Sequence, residues 1–449
     1  MFDETDMLRR GLELMKKKDY EQAVVVFGDA IKANPKYIEA YFSRGNAYEA
    51  LGRFDQAMEN YDAVLRFSPK EAAAYFNRAC LFRKKGDNDR AMVELARALD
   101  LKPNYGKAYY NRGMIYFSMG SIDKAYADYT KAIECSPTDA DAYVSRGLVY
   151  VTKGDNEKAL EDYSRALAID PNHHRGHGNR GNALEALGRN AEALEEYSRV
   201  IQLVPNDYKA YMNRGYVYSK LEKRENAIAD YTRAIELNPK YAKAYCCRGA
   251  LYAIQKRSQK ALEDYEEAVR LTPQNIDAYI SRGQAKIELG NPIGAVEDFT
   301  TAIKLDSNNV KAFFNRASVY AKLNNVQNAI EDYSEAIHRA PTNAQAYCLR
   351  GVLYTKTGQL DAAVADYEKT VSLDPKYVSA FFNLGLVQRI QGKFKPAIQS
   401  FSEVIKLNPN NGSAYKNRAA TYGMIGDKEK AQRDLEKAEE LEKEPGAGD

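Results

Sequence analysis

The sequence has no tryptophan, four histidines, five cysteines and little excess of either charge. The cysteines show neither the spacing of a metal site nor that of a disulfide framework, which fits a reducing compartment. Its 65 basic and 62 acidic residues give a formal net charge of +3, far from the strongly basic balance of nucleic-acid-binding chains. We therefore expect no metal site and no nucleic-acid partner.

Long apolar runs are also absent. No stretch approaches the roughly 18 apolar residues that a membrane span needs, and the first residues lack the basic start and apolar core of a secretory signal. These absences predict a cytoplasmic protein without direct membrane insertion. They leave the oligomeric state open.

A period of 34 residues runs through the chain. Alanine holds one position in all thirteen periods, from Ala23 to Ala431, and prolines from Pro35 to Pro409 are spaced by 34 residues or a multiple, with Ser307 replacing one. The period predicts one continuous array over residues 4–445, followed by a disordered tail over residues 446–449. Its repeats begin at residues 4, 38, 72, 106, 140, 174, 208, 242, 276, 310, 344, 378 and 412.

Each repeat has the pattern of two amphipathic helices. In the fourth repeat, spacings of three and four residues place side chains on one face of each helix, namely Tyr109, Gly113 and Tyr116, then Ala125, Tyr129 and Ala132. A polar turn at Gly120 separates the helices, and Pro137 ends the second. Small residues at Gly113 and Ala125 let the two backbones approach closely.

This succession of aromatic, Gly or Ala, Tyr, Ala, Tyr or Phe, Ala and Pro resembles the tetratricopeptide repeat over residues 4–441. The resemblance implies an all-α fold, a right-handed α-α superhelix (α-solenoid) with first helices on the concave face and second helices on the convex face. His177 departs from the pattern by replacing the aromatic, and Pro292 and Pro396 fall in first turns, where proline is tolerated. We expect the charged second helix of the last repeat to cap the array.

Arginine stands where this family usually has leucine, in all repeats but the twelfth. Most of these arginines are followed sixteen residues later by Asp or Glu, and the twelfth repeat lacks both, with Leu384 and Ser400. This joint loss predicts that each arginine pairs with the acid of its own hairpin. The arginines could form an anion-binding row along the groove or structural ion pairs; neutralisation by the acid favours ion pairs.

Asparagine often stands just before the arginine position, where by family analogy it faces the concave groove: Asn77, Asn111, Asn179, Asn213, Asn315, Asn383 and Asn417. Amides could bind the backbone of an extended peptide, or they could bond to the neighbouring repeat or to water. One residue earlier stand large apolar groups, including Phe42, Phe76, Tyr110, Phe314 and Phe382. They could form an apolar stripe beside the amides or pack between repeats.

Catalytic motifs are missing from the sequence. His173, His174 and His177 could place two imidazoles on one helical face, but a turn residue and a substituted aromatic account for them better than a metal site does. Adjacent Cys246 and Cys247 are more typical of packed small residues than of reactive thiols.

These features predict a non-enzymatic scaffold for protein–protein interaction, which binds an extended peptide or a partner helix in its concave groove without a cofactor. The alternative is a co-chaperone or a regulatory subunit of a larger assembly. Co-chaperone repeats grip a chaperone tail with a lysine where this chain has Phe42, Phe76, Tyr110 or Phe314. No three consecutive repeats supply the whole set, which argues against that activity.

Overall fold

A computed structural model describes residues 3–443, and the predicted tail over residues 446–449 lies outside the described residues. Residues 3–443 contain 26 α-helices and no β-strand, which confirms the all-α fold of paired helices. Within this part of the chain, no helix combines the length and apolarity that crossing a membrane requires.

Helices of 13 and 14 residues alternate, apart from the longer α26. The first helices of the hairpins are α1 (Glu4–Lys16), α3 (Ile38–Ala50), α5 (Ala72–Lys84), α7 (Gly106–Ser118), α9 (Ala140–Thr152), α11 (His174–Ala186), α13 (Tyr208–Lys220), α15 (Ala242–Ile254), α17 (Ile276–Glu288), α19 (Val310–Lys322), α21 (Ala344–Lys356), α23 (Val378–Ile390) and α25 (Gly412–Met424). The second helices are α2 (Tyr20–Ala33), α4 (Phe54–Phe67), α6 (Asn88–Leu101), α8 (Ile122–Cys135), α10 (Asn156–Ile169), α12 (Asn190–Leu203), α14 (Arg224–Leu237), α16 (Ser258–Leu271), α18 (Pro292–Leu305), α20 (Val326–Arg339), α22 (Leu360–Leu373), α24 (Phe394–Leu407) and α26 (Lys428–Lys443).

The chain divides into two compact units after Arg233. Within each unit, a first helix packs on its own second helix, and that second helix packs on the next first helix. Successive first helices also contact each other, as α9 and α11 do in one unit and α21 and α23 in the other. Continuity of one array from residue 4 to residue 445 stays a prediction.

The turn between the two helices of a hairpin requires one residue with positive φ. Nine hairpins have glycine there, with φ between +72° and +81°, because glycine has no Cβ to clash in this conformation. Four hairpins have a residue with a side chain instead: Lys18, Glu222, Lys256 and Asn324. The second helices end just before the periodic prolines, as α8 does before Pro137, and Pro292 opens α18 as predicted.

Close contact between glycine and an aromatic ring closes each typical hairpin. Gly283 on α17 faces Phe299 on α18, and a Cβ added to Gly283 would lie 2.7 Å from the ring. Phe299 and the alanine before it on the same face, Ala295, are fully buried. The backbones can approach this closely only because the glycine has no side chain.

The predicted ion pair is confirmed in the hairpins that have both the arginine and the acid. Arg350 Nε and Nη2 donate to the two carboxylate oxygens of Asp366, each at 2.8 Å. The same two-point geometry recurs at Arg112, Arg146, Arg214, Arg248, Arg282, Arg316 and Arg418. These hydrogen bonds raise the pKa of Arg350 above its ordinary value. These eight arginines are therefore neutralised within the fold.

The arginine also joins successive hairpins, which the sequence analysis missed. Arg350 Nη1 donates to Ser334 Oγ of the preceding second helix at 2.9 Å. Its guanidinium lies over the rings of Tyr347 and Tyr354, with Cζ 5.7 Å and 5.6 Å from the ring centroids. One side chain thus connects two hairpins and covers two aromatic rings of its own helix.

Candidate peptide-binding surface

The seven predicted asparagines all lie on first helices and are all partly exposed. They differ in what their amides bind. Asn77 and Asn213 donate to asparagines of the preceding hairpin, Asn46 and Asn182, at 3.0 Å and 3.1 Å. For these two, the interpretation as contacts between repeats holds.

Two further amides bond to their own helix. Asn111 Nδ2 donates to the carbonyl oxygen of Lys107 at 2.9 Å, and Asn417 Nδ2 donates to that of Ser413 at 2.8 Å. Asn179, Asn315 and Asn383 make no side-chain hydrogen bond to the described part of the chain. These three amides therefore keep all of their donors and their acceptor available to a bound molecule.

Asn46 and Asn182 have a structural role that the sequence analysis did not identify. Asn46 Oδ1 accepts from Tyr61 Oη at 2.8 Å as well as from Asn77, and Asn182 Oδ1 accepts from Tyr197 Oη at 2.7 Å. The signal was present, because both asparagines hold the same repeat position and each is followed 31 residues later by a second asparagine.

The five predicted apolar side chains are partly exposed and partly packed. Phe42 contacts Tyr61 and Phe382 contacts Phe401, in each case with ring centroids 5.8 Å apart. Phe314 packs edge-on against Tyr333 at 5.5 Å. Tyr110 contacts Tyr129 at 5.8 Å, and Phe76 contacts Tyr105 at 5.0 Å. Packing within the fold therefore holds one side of each ring and leaves the rest of it accessible.

An open groove in the second unit brings several of these groups together. It has a volume of about 400 Å³ and is lined by residues of α17, α19 and the start of α21. Phe314 and Asn315 lie beside Ile280, and the polar lining includes Ser281, Gln284 and Gln345. Exposed Asp277 and Lys311 place one charge of each sign at the same groove.

Among the residues that the structure describes, the cysteines and histidines form no metal-binding cluster. Burial raises the pKa of Cys246 to about 11 and that of Cys80 also to about 11, so both thiols are neutral at physiological pH. His173 Nδ1 accepts from the backbone of Gly176 at 2.9 Å, and His177 Nδ1 lies 2.7 Å from Glu196. Each of these two imidazoles has a local structural partner.

Models of one family match nearly the whole chain. Tetratricopeptide repeat models match residues 38–71, 106–139, 144–208, 208–241, 242–275, 276–309, 310–343, 333–365, 378–411 and 400–433, and a TPR repeat model matches residues 11–52, 79–120 and 351–389. The chain belongs to the tetratricopeptide repeat family. Membership of this family supports a role in protein–protein interaction.

Individual relatives of this tetratricopeptide repeat protein resemble it only in part. An uncharacterized protein of Methanocaldococcus jannaschii is 39% identical over 51 residues, which are 11% of this chain and 59% of the relative. The chain thus matches less than two thirds of the length of that relative.

Two solved structures are also similar to it. The crystal structure of the APC/C hetero-tetramer Cut9-Hcn1 is 15% identical over 94% of this chain and 96% of that one, with a TM-score of 0.44. The crystal structure of YrrB, described as a TPR protein with an unusual peptide-binding site, is 26% identical over 42% of this chain and 96% of that one, with a TM-score of 0.37.

Proposed function

We propose that the chain is a non-enzymatic adaptor that binds an extended segment of another protein along its first helices. In the second unit, the segment would lie in the groove beside Phe314 and Asn315. Family membership supports protein partners in general, and the groove supports this particular surface. The five cysteines, all in the described part of the chain, form no disulfide, which is consistent with a reducing compartment such as the cytoplasm.

The adjacent pair Phe314 and Asn315 carries the proposal. The ring of Phe314 is held in place by Tyr333 and remains partly exposed, so it offers a rigid apolar contact. The side chain of Asn315 makes no hydrogen bond within the described chain, and its amide offers both donors and an acceptor. A peptide backbone needs this combination, because its N–H and C=O groups must be paired when they leave water.

The shape of the groove favours a polypeptide over a compact ligand. Its lining comes from three successive hairpins, with an apolar floor at Ile280 and Phe314 and amide or hydroxyl groups spread along its length. Hydrogen bonds from such groups to a main chain are independent of sequence, so side-chain pockets would supply the selectivity. No cofactor is needed for binding of this kind.

Selection from a peptide display library on the full-length chain tests the proposal. Peptides that bind the wild-type chain should bind Phe314→Ala and Asn315→Ala at least about tenfold more weakly, a loss of about 1.4 kcal/mol or more for each variant. Asn417→Ala is the matched control, because the amide of Asn417 bonds to its own helix. Circular dichroism would show that all variants remain folded.

Equal affinity of the selected peptides for the wild type and both groove variants would overturn the proposal. The selected sequences also separate the two functional classes. Peptides bound through internal residues support an adaptor. Peptides bound only through a free acidic carboxyl terminus would favour the co-chaperone instead.

A further inference from the structure

The junctions between successive hairpins place charged groups around the repeated arginine. At the junction of the second and third hairpins, Arg78 lies in an open depression of about 410 Å³ with Lys85 and Arg90. Asp62 and Asp87 line the same depression, and Glu94 pairs with Arg78 Nη2 at 3.0 Å. The three negative charges at this junction therefore equal the three positive charges in number.

The corresponding junction of the first and second hairpins has no acid at any of these positions. Gly28, Arg53 and Asn60 stand in place of the three acidic residues, each 34 residues earlier in the chain. Arg44 remains in place of Arg78, whereas Leu51 and Gln56 replace the other two cations. This junction therefore carries two positive charges and no negative charge at the six equivalent positions.

Arg44 has only a neutral hydrogen-bond partner. Its Nε donates to Asn60 Oδ1 at 2.8 Å, and its guanidinium lies over the ring of Tyr41, with Cζ 5.6 Å from the centroid. Arg44 is partly buried, and neither Nη1 nor Nη2 bonds to the described chain. Both nitrogens are exposed to solvent.

At the junction of the second and third hairpins, a carboxylate pairs with the arginine that corresponds to Arg44. Arg78 Nη1 lies 3.1 Å from Asp62 Oδ1, an acid on the preceding second helix. Gly28 occupies the position of Asp62, and a Cβ added to Gly28 would meet only Arg44 Nη1, at 3.6 Å. The space in front of Arg44 is thus open where the neighbouring hairpin supplies a carboxylate from within the chain.

We propose that the junction of the first two hairpins is a binding site for an oxyanion, a carboxylate or a phosphoryl group carried by a bound polypeptide. Arg44 Nη1 and Nη2 form the free edge of the guanidinium and would contact two oxygens of the anion, a geometry in which arginine binds strongly. Exposed Arg53 adds a second positive charge. The site shares no residue with the groove at Phe314 and does not depend on the proposed peptide binding there.

Nuclear magnetic resonance on the full-length chain labelled with ¹⁵N-arginine tests the site. The Arg44 Nε signal is identified by its loss in Arg44→Lys and is then followed during separate titrations with sodium acetate and sodium phosphate at matched ionic strength. We expect a saturable shift of the Arg44 signal in the wild type. The anion that saturates at the lower concentration identifies the preferred group, carboxylate or phosphoryl.

Gly28→Asp is the decisive variant, because it places a carboxylate in front of Arg44 as Asp62 does for Arg78. In this variant the shift with either anion should be lost. Asn60→Asp is a second variant that neutralises Arg44 from the other side, as Asp366 neutralises Arg350, and it should weaken the shift even if Gly28→Asp does not fold. An Arg44 signal that responds to neither anion, or responds equally in the wild type and the folded variants, overturns the proposal.

Discussion

Gly147 lies directly against the ring of Tyr163, which is sixteen residues later on the second helix of the same hairpin. A Cβ added to Gly147 would overlap with Tyr163 Cε1, and the ring is fully buried. Gly147→Ala must therefore displace the ring or separate α9 from α10. We expect a loss of about 1–3 kcal/mol in the free energy of unfolding, because overfilling a packed core costs this much.

Denaturant unfolding combined with hydrogen exchange in α9 and α10 measures this loss. Gly178→Ala is the matched control on α11, where the added Cβ would make only an ordinary contact with Val200 at 3.8 Å. There the better helix propensity of alanine should stabilise the chain by about 0.5–1 kcal/mol. Similar effects of the two substitutions would contradict this account of the hairpin.

Glu94→Asp should stabilise the third hairpin. Glu94 binds Arg78 through one hydrogen bond only, and both Arg78 Nε and Glu94 Oε2 are buried without a partner. Aspartate at the same repeat position forms two hydrogen bonds, as Asp366 does with Arg350. Removing one methylene should satisfy both atoms and add about 1–2 kcal/mol to the free energy of unfolding.

Asp366→Glu is the reciprocal change and should destabilise the chain by a similar amount. Both variants keep the charge, so a difference between them reports hydrogen-bond geometry. A loss of stability in Glu94→Asp, measured by denaturant unfolding, would show that the unpaired atoms are not the cause.

Arg350 and Asp366 should be strongly coupled in a double-mutant cycle. Arg350→Met leaves a buried carboxylate, and Asp366→Asn leaves a partly buried guanidinium without its counter-charge, so each should cost about 3–5 kcal/mol. The double variant should cost clearly less than the sum. The exposed pair of Glu403 and Lys406, 3.1 Å apart, is the control and should show a coupling of about 0–1 kcal/mol.

Additive effects at Arg350 and Asp366, measured by denaturant unfolding, would show that the two side chains act independently. That result would also reopen the interpretation of the arginines as an anion-binding row, because it would mean that the acids do not neutralise them.

Lys256→Gly should stabilise the chain. Lys256 occupies the turn position with φ of +59°, where nine other hairpins have glycine. A residue with a Cβ pays about 1–2 kcal/mol in the left-handed conformation, so removing the side chain should recover about 1 kcal/mol. Lys256 Nζ lies 3.7 Å from Glu288 Oε1, and the lysine side chain is 83% exposed. Loss of this exposed ion pair should therefore change stability little.

Asn324→Gly makes a useful comparison at the same turn position. Asparagine tolerates the left-handed region better than lysine does, and Asn324 Oδ1 accepts from Lys356 Nζ at 2.6 Å. The gain should therefore be smaller than for Lys256→Gly. The reverse order in thermal unfolding midpoints would contradict the strain argument.

Sequence alone predicts the features that depend on position within the repeat. The helix pairs, the breaks at proline, the small residues where the two helices approach and the pairing of Arg350 with Asp366 all follow from a constant spacing, and the structure has them. Each of these features depends on residues whose separation in the sequence is constant from one repeat to the next.

Position within one repeat does not predict which asparagines are free, because this depends on the residue 31 positions earlier, in the preceding hairpin. Asn77 and Asn315 hold the same repeat position. The amide of Asn77 donates a hydrogen bond to Asn46, whereas the amide of Asn315 makes no hydrogen bond within the described chain. Tyr61 holds the Asn46 side chain in place, because its hydroxyl donates a hydrogen bond to Asn46 Oδ1. A short chain of side-chain contacts therefore decides which amides remain available on the surface.

Tyr163→Phe and Tyr197→Phe should differ in their effect on stability, although both rings are buried at the same repeat position. The hydroxyl of Tyr163 is buried without a hydrogen-bond partner, so removing it should leave stability unchanged or raise it by about 1 kcal/mol. Phe299 and Phe401 show that phenylalanine fits this position. Tyr197 Oη donates to Asn182 at 2.7 Å, and its removal should cost about 0.5–1.5 kcal/mol.

The pH dependence of stability tests whether the Tyr163 hydroxyl is buried without a partner. Burial raises the pKa of Tyr163 above its ordinary value of 10.0. A raised pKa in the folded state means that the unfolded chain loses this proton first, so stability falls as pH rises above about 10. Denaturant unfolding of Tyr163→Phe should show a shallower fall above this pH than the wild type does. If the two curves run in parallel while Tyr163→Phe is destabilised at neutral pH, the hydroxyl must have a partner and the burial argument fails.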